Sequence, residues 1–107
     1  MLALSRFVDR EVLMGLARVV TFDGVSAQRM EELKRQIDEG GRPDDVPATE
    51  ILVLHDPDTE KSVVVVFFDS EDDYARGAAA LEAMPADDVP GQRTSVAKYQ
   101  VASRMSA

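Results

Sequence analysis

One stretch restricts the fold of this chain more than any other: six apolar residues run without a break from Val63 to Phe68. The run is β-branched and aromatic, which favours a strand, and alternate side chains of a strand point to opposite faces of its sheet. Both faces of this strand therefore need to be covered. The alternating side chains form two sets, namely Val63, Val65 and Phe67, and Val64, Val66 and Phe68. One set is expected to pack against helices, and the other is expected to lie on an open face of the sheet.

The remaining pattern supplies the helices and three further strands. Their expected bounds are strands at 16–22, 50–56 and 94–102, and helices that begin behind the N-cap residues Ser26 and Ser70. The order strand, helix, strand, strand, helix, strand is the ferredoxin-like βαββαβ arrangement, an α+β fold with a four-stranded antiparallel sheet. Right-handed crossovers place both helices on one face of that sheet, and the first and third strands are central.

The open face of the sheet predicts a homodimer. Residues 14–107 are expected to form one domain, and residues 1–13 an N-terminal extension of uncertain order. That extension spans about 20 Å as a helix, which is less than a four-stranded sheet presents. Only five residues follow Ala102. The simplest cover is the same face of a second copy, paired through the open sheet face as a dimeric α/β barrel.

Charge and composition exclude several classes of partner and site. The chain has 12 basic and 20 acidic residues, a net charge of −8, which argues against nucleic acid or an anionic membrane as a partner. It contains no cysteine, so disulfides, thiolate metal sites and cysteine nucleophiles are excluded. Neither a signal peptide nor an apolar run of about 20 residues is present, and a cytoplasmic location is expected.

Three stretches carry a resemblance to a known family: "LARVVTFDG" at 16–24, "VPATEILVLHDPDTEKSVVVVFFDSEDDYARGAAAL" at 46–81 and "PGQRTSVAKYQVA" at 90–102. The chain resembles the dimeric α/β-barrel superfamily, and within it the small antibiotic-biosynthesis-monooxygenase-like domains of actinobacterial type. The resemblance implies two sheets packed face to face and a ligand cavity between each sheet and its helices. Members include cofactor-free oxygenases, haem-degrading enzymes and isomerases. This sequence has no Trp and no Asn, so no catalytic residue is transferred and no cofactor is expected.

Arg18 is the first candidate site residue, because it lies in the middle of a central strand. It shares a face with Leu16, Val20 and Phe22, so its guanidinium is expected to be partly or wholly buried and to need a partner. One interpretation is an anchor for a carboxylate, phenolate or enolate ligand. The other is an ion pair across the sheet or across the dimer interface.

Three further residues are candidates. His55, the single histidine, ends the second strand and is either a proton shuttle at a pocket rim or a residue of the hairpin turn. One histidine without an acidic partner at ligand spacing predicts no metal site. Tyr99 places its hydroxyl in a cavity or is a core ring, and Arg93 faces a pocket mouth or water. The catalytic candidates are thus Arg18, His55 and Tyr99, and the ligand-binding candidates are Arg18, Tyr99 and Arg93.

Two functional hypotheses remain open at this point. The first is a small homodimer of undetermined activity that binds an apolar or aromatic small molecule between sheet and helices. The alternative is a cofactor-independent monooxygenase or isomerase acting on an aromatic or polyketide-like substrate. In that enzyme Arg18 holds an oxyanion, and His55 or Tyr99 moves a proton. The two are distinguished by whether at least two of these three side chains converge on one cavity.

Overall fold

The computed structural model of the protein describes residues 15–41, 45–84 and 89–105. Across these residues no helix combines the length and the apolar character that a membrane crossing requires. The predicted N-terminal extension, residues 1–13, lies outside the described part of the chain. The elements are β1 (Leu16–Asp23), α1 (Ala27–Gly40), β2 (Glu50–Asp56), β3 (Lys61–Phe68), α2 (Glu71–Glu82) and β4 (Gln92–Gln100).

The strands form one antiparallel sheet in the order β2-β3-β1-β4. The predicted ferredoxin-like α+β fold is therefore confirmed, with the first and third strands at the centre of the sheet. β1 pairs with β3 along its length, from Leu16 opposite Phe68 to Phe22 opposite Ser62. The two strands that carry most of the apolar strand residues thus become neighbours, although 37 residues lie between them along the chain.

Local hydrogen bonds explain where both helices begin and where α1 ends. The hydroxyl of Ser26 accepts a hydrogen bond of 3.1 Å from the backbone N–H of Arg29, and Ser70 does the same for Asp73. Each bond satisfies one of the N–H groups that a helix start leaves unpaired. After the last residue of α1, Gly40, the backbone N–H of Gly41 still donates to the carbonyl of Ile37, and the positive φ of 66° at Gly41 then turns the chain out of the helix.

The last strand lies two residues earlier than its sequence pattern predicts, at 92–100 and not 94–102. The pairing with β1 shifts between Thr21 and Phe22, so that Phe22 lies opposite Arg93 and one extra residue is accommodated in β4. At the other end, the N–H of Val101 donates to the carbonyl of Gly15, just before β1 begins. β4 therefore ends because its partner strand ends, although its apolar pattern continues.

The structure decides which set of β3 side chains faces the helices. Val66 and Phe68 are 2% and 1% exposed on the helix side, where they pack with the helices and with the helix-facing residues of β1. The connection before β2 also contributes to this layer, because Val46 and Ala48 are 1% and 4% exposed. The buried apolar residues between the sheet and its helices form two clusters, one of Val20, Phe22, Val25 and Met30 and one of Val46, Ala48, Val66 and Phe68.

The opposite face of the sheet is apolar and only partly covered. In this face Val65 of β3 lies beside Leu52 of β2, and Val63 lies beside Leu54. Leu52 and Leu54 are 41% and 54% exposed. The guanidinium of Arg104, from the segment after β4, lies 4.5 Å from the centre of the Phe67 ring and covers one end of the face.

α2 lies close against the sheet at Gly77. A Cβ atom added at this glycine would collide with the ring of Phe68, which is itself held edge-on by Tyr74 at a centroid distance of 5.4 Å. Because Phe68 is almost completely buried, the ring has no free space into which it can move. The absence of a side chain at this position therefore allows the helix to approach the sheet.

We expect Gly77→Ala to lower the free energy of unfolding by about 1 kcal/mol, measured by urea denaturation. Alanine gains about 1 kcal/mol of helix propensity, but overpacking a dense core costs about 1–3 kcal/mol and is expected to exceed that gain. Gly40→Ala is the matched control, because a Cβ there meets no atom within 4 Å. Equal stability of the two variants would contradict the close approach of α2.

Candidate functional site

A cavity of about 160 Å³ lies between the helix side of the sheet and the two helices. Twelve of its lining residues are aliphatic, aromatic, methionine or proline. β1 and β3 form its floor with Val20, Val64 and Val66, and the helices form its walls, with Leu33 from α1 and Leu81 from α2 among them. Such a lining offers a poor environment to water and a favourable one to an apolar molecule.

Among the described residues, the charged side chains that line this cavity are those of two arginines, Arg18 and Arg93. Nη2 of Arg18 donates a hydrogen bond of 2.8 Å to Oε1 of Glu82, the last residue of α2. Nη1 of Arg93, the second residue of β4, donates to the same oxygen at 2.5 Å. The Arg18 side chain is 6% exposed, whereas those of Arg93 and Glu82 are 45% and 48% exposed. One guanidinium is therefore inside, and a carboxylate and a second guanidinium lie at the rim.

Within the described part of the chain the charges of this cluster do not balance, because two guanidinium groups share one carboxylate. The hydrogen bond from Arg93, with the charges of Arg93 and Arg18, holds the pKa of the Glu82 carboxyl below its ordinary value of 4.5. Glu82 is therefore ionised at neutral pH, and the cluster keeps one net positive charge. In a protein of net charge −8, this end of an apolar cavity is a local site of attraction for an anion.

Arg18 is buried, as its place in β1 predicts. Its ion-pair partner is not across the sheet, as one interpretation expected, and among the described residues no other strand supplies it. The partner comes from the helix layer above the sheet. Glu82 was not among the residues that the sequence predicted to be partners of Arg18. One signal was available: an acidic residue at the C-terminal end of a helix is disfavoured by the helix dipole, and so suggests a specific cationic partner. Arg93 lies at the cavity mouth, one of the two positions considered for it.

His55 lies apart from this cluster. Its Nε2 atom is 2.8 Å from the carbonyl oxygen of Val25, and because a carbonyl can only accept, the ring donates from Nε2. The side chain borders a separate depression with Met30, Lys34 and Pro57, near the β2–β3 hairpin. His55 therefore has a structural role, since it links the end of β2 to the loop between β1 and α1.

Tyr99 lies on the opposite face of the sheet and is 57% exposed. Its neighbour Lys98 takes the helix side, where its Nζ pairs with Glu71 of α2 at 2.7 Å and lies over the ring of Tyr74. Because alternate residues of a strand point to opposite faces, Tyr99 does not line the cavity. Arg18, His55 and Tyr99 thus do not converge on one cavity, and Arg18 has Arg93 as its companion there.

Nothing matches this chain in comparisons with protein-family models, with curated proteins or with solved structures. The resemblance to the dimeric α/β-barrel superfamily therefore stays a prediction. The shape of the cavity and the chemistry of its lining remain the basis for a function.

We expect the charge of Arg18 to contribute little to stability. Arg18→Ala should lower the free energy of unfolding by about 2 kcal/mol, because it removes a buried side chain and enlarges the cavity. Glu82 keeps Arg93 and is half exposed, so the loss of a partner adds little. Arg18→Met should lie within about 1 kcal/mol of the natural protein, because it fills similar space without a buried charge.

Chemical denaturation at pH 7 measures these differences. Arg35→Ala, an exposed position on α1, is the matched control and should change stability by less than about 0.5 kcal/mol. If Arg18→Met is as unstable as Arg18→Ala, the ion pair with Glu82 stabilises the fold, and the expected small contribution of the Arg18 charge to stability is wrong.

Proposed function

We propose that this protein is a small homodimeric α/β-barrel protein that binds an apolar or aromatic small molecule in the cavity between sheet and helices. The cavity itself is the observation that supports this proposal most directly. Its volume of about 160 Å³ is close to the ~150 Å³ at which an engineered apolar cavity in another protein stays dry and binds benzene. A molecule with one aromatic ring or a short branched chain matches this space.

The open face of the sheet supports the dimer. Seven large side chains on this face are partly or largely exposed: Val19, Leu52, Leu54, Val63, Val65, Phe67 and Tyr99. Leu52, Leu54 and Tyr99 are 41%, 54% and 57% exposed, and the other four are less exposed. Covering these side chains contributes about 0.5–1 kcal/mol each, or about 7–14 kcal/mol for both copies. Association costs about 4–15 kcal/mol, so a two-fold pairing of the two faces is favourable over much of that range. The ligand cavities then lie on the outer sides of the two sheets.

The alternative, a cofactor-independent monooxygenase or isomerase, requires a group that moves a proton beside the ligand. His55 borders a separate depression and is hydrogen-bonded to Val25, and Tyr99 lies on the other face. Among the described residues, Glu82 is the carboxylate that pairs with the Arg18 guanidinium at the cavity rim. It is ionised and bound to two arginines, so it has no proton to donate at neutral pH. No observation therefore favours catalysis over binding.

Ligand binding is tested by titration of the protein with toluene, followed by NMR of the valine and leucine methyl groups. Saturable shifts are expected for cavity residues such as Val66 and Leu81. Val64→Phe, which fills the cavity from β3, should abolish these shifts. Val63→Phe is the matched control, because it makes the same change on the opposite face. If the natural protein shows no saturable shift, the proposed binding function is wrong.

The dimer is tested by light scattering coupled to size-exclusion chromatography. The natural protein should elute with about twice the chain mass of 11.7 kDa. Val65→Lys, on the open face, should give a folded monomer, because the lysine interrupts the paired faces but not the core. Val64→Lys, one residue earlier, should unfold the chain, because it places an ammonium in the apolar layer. A folded monomer of the natural protein at micromolar concentration would disprove the dimer.

A further inference from the structure

We infer that the ligand of this cavity is an apolar monocarboxylate with about one ring, and that its carboxylate binds the guanidinium of Arg18 in place of Glu82. This inference rests on the proposed function, that the cavity binds a small apolar molecule. The inference specifies the charge of the ligand, Arg18 as the residue that binds this charge, and Glu82 as the residue that competes with the ligand for Arg18.

The first observation is that Arg18 has hydrogen-bond donors to spare. A guanidinium has five N–H donors, and among the described residues the structure records one hydrogen bond for this group, from Nη2 to Glu82. No fully buried side-chain nitrogen or oxygen in the described part of the chain lacks a partner. The other nitrogens of Arg18 must therefore reach open space. Because the residue lines the cavity and its side chain is only 6% exposed, that space is the cavity.

The second observation is the chemistry that such a group prefers. A planar guanidinium in an apolar environment is best complemented by a carboxylate, which accepts two parallel hydrogen bonds. An amine would be repelled by the two arginines, and a neutral hydrocarbon would leave the donors unpaired. A phosphate ester would bring a larger charge and more polar oxygens against the cavity walls, whose described lining is apolar apart from the two arginines. A single carboxylate on an apolar body satisfies both the guanidinium and the walls.

The third observation is that Glu82 can leave Arg18 without losing its other partner. It approaches from the rim, is 48% exposed, and accepts from Arg93 through the same oxygen that accepts from Arg18. When a ligand carboxylate takes the inner guanidinium, Glu82 stays paired with Arg93. The cluster then holds two guanidinium groups and two carboxylates, so ligand binding removes its excess positive charge. Glu82 thus acts as an internal competitor that occupies Arg18 while no ligand is bound.

The experiment compares benzoate with toluene, its neutral counterpart of nearly equal size, in titrations at pH 7. Glu82→Gln should bind benzoate about two- to fivefold more tightly, the size of an exposed ion pair, and toluene unchanged. Arg18→Met should lower the affinity for benzoate by about tenfold or more, which corresponds to the loss of a hydrogen bond to a charged group. Its affinity for toluene should be retained. Glu39→Gln is the matched control for charge, since it removes one exposed acid from α1.

Each outcome bears on either the inference or the proposed function. If toluene binds and benzoate does not, or if benzoate affinity is unchanged by Arg18→Met, the inference is overturned while the proposed binding function stands. If Glu82→Gln and Glu39→Gln raise benzoate affinity equally, Glu82 is not a competitor. If neither probe binds, both the inference and the proposed function fail. Retained toluene binding shows that a variant is folded, and if Arg18→Met does not fold, the Glu82→Gln comparison decides.

Discussion

The central strand β3 is apolar on both of its faces, and most of the molecule follows from the need to cover them. On the helix side, Val66 and Phe68 form part of a core that the two helices and the segment before β2 complete. On the other side, Val65 and its neighbour Leu52 form the middle of an apolar surface. A strand with a polar face would have allowed a sheet with one solvated side. This strand requires two covered faces, and the described part of the chain supplies helices for only one.

The ion pair that Arg18 of β1 makes with Glu82 is unusual against this background. Removing a charge from water is costly, and apolar residues in place of a buried ion pair are often as stable. Arg18 nevertheless occupies the middle of β1, at the inner end of an otherwise apolar cavity. The cost is limited because its partner Glu82 is at the rim and is half exposed. The arrangement keeps one charged group inside the apolar layer and lets its counter-ion remain in contact with water.

Much of the fold can be read from the sequence because local rules act there without competition. The N-cap serines, the glycine that ends α1 and the alternation within β3 each depend on neighbours only a few residues away. The choice between the two faces of β3 could not be made, because both sets of side chains are equally apolar. Burial of Arg18 follows from its place in a central strand. Its partner does not, since it depends on where α2 ends above the sheet, 64 residues further along the chain.

Other parts of the site depend on pairings that no local pattern encodes. Tyr99 and Lys98 are neighbours, and the register of β4 against β1 decides which of them faces the helices. His55 is fixed by the carbonyl of Val25, a contact between the end of β2 and the loop before α1, which are distant in sequence. The two site residues that share Glu82 were each found as candidates, but their common partner was not. Sequence reasoning thus identified the cations of the cluster and missed the anion that joins them.

The shift in pairing between Thr21 and Phe22 has a consequence for how such a site changes over time. In a regular ladder Thr94 would lie opposite Phe22, and Arg93 would point to the open face, opposite Asp23. The extra residue reverses the parity of the strand, so the same arginine reaches the cavity instead. Gain or loss of one residue here would therefore exchange the side chains at the start of β4 between the helix side and the open face of the sheet. The charge at the cavity mouth would then change without any substitution at a residue that lines the cavity.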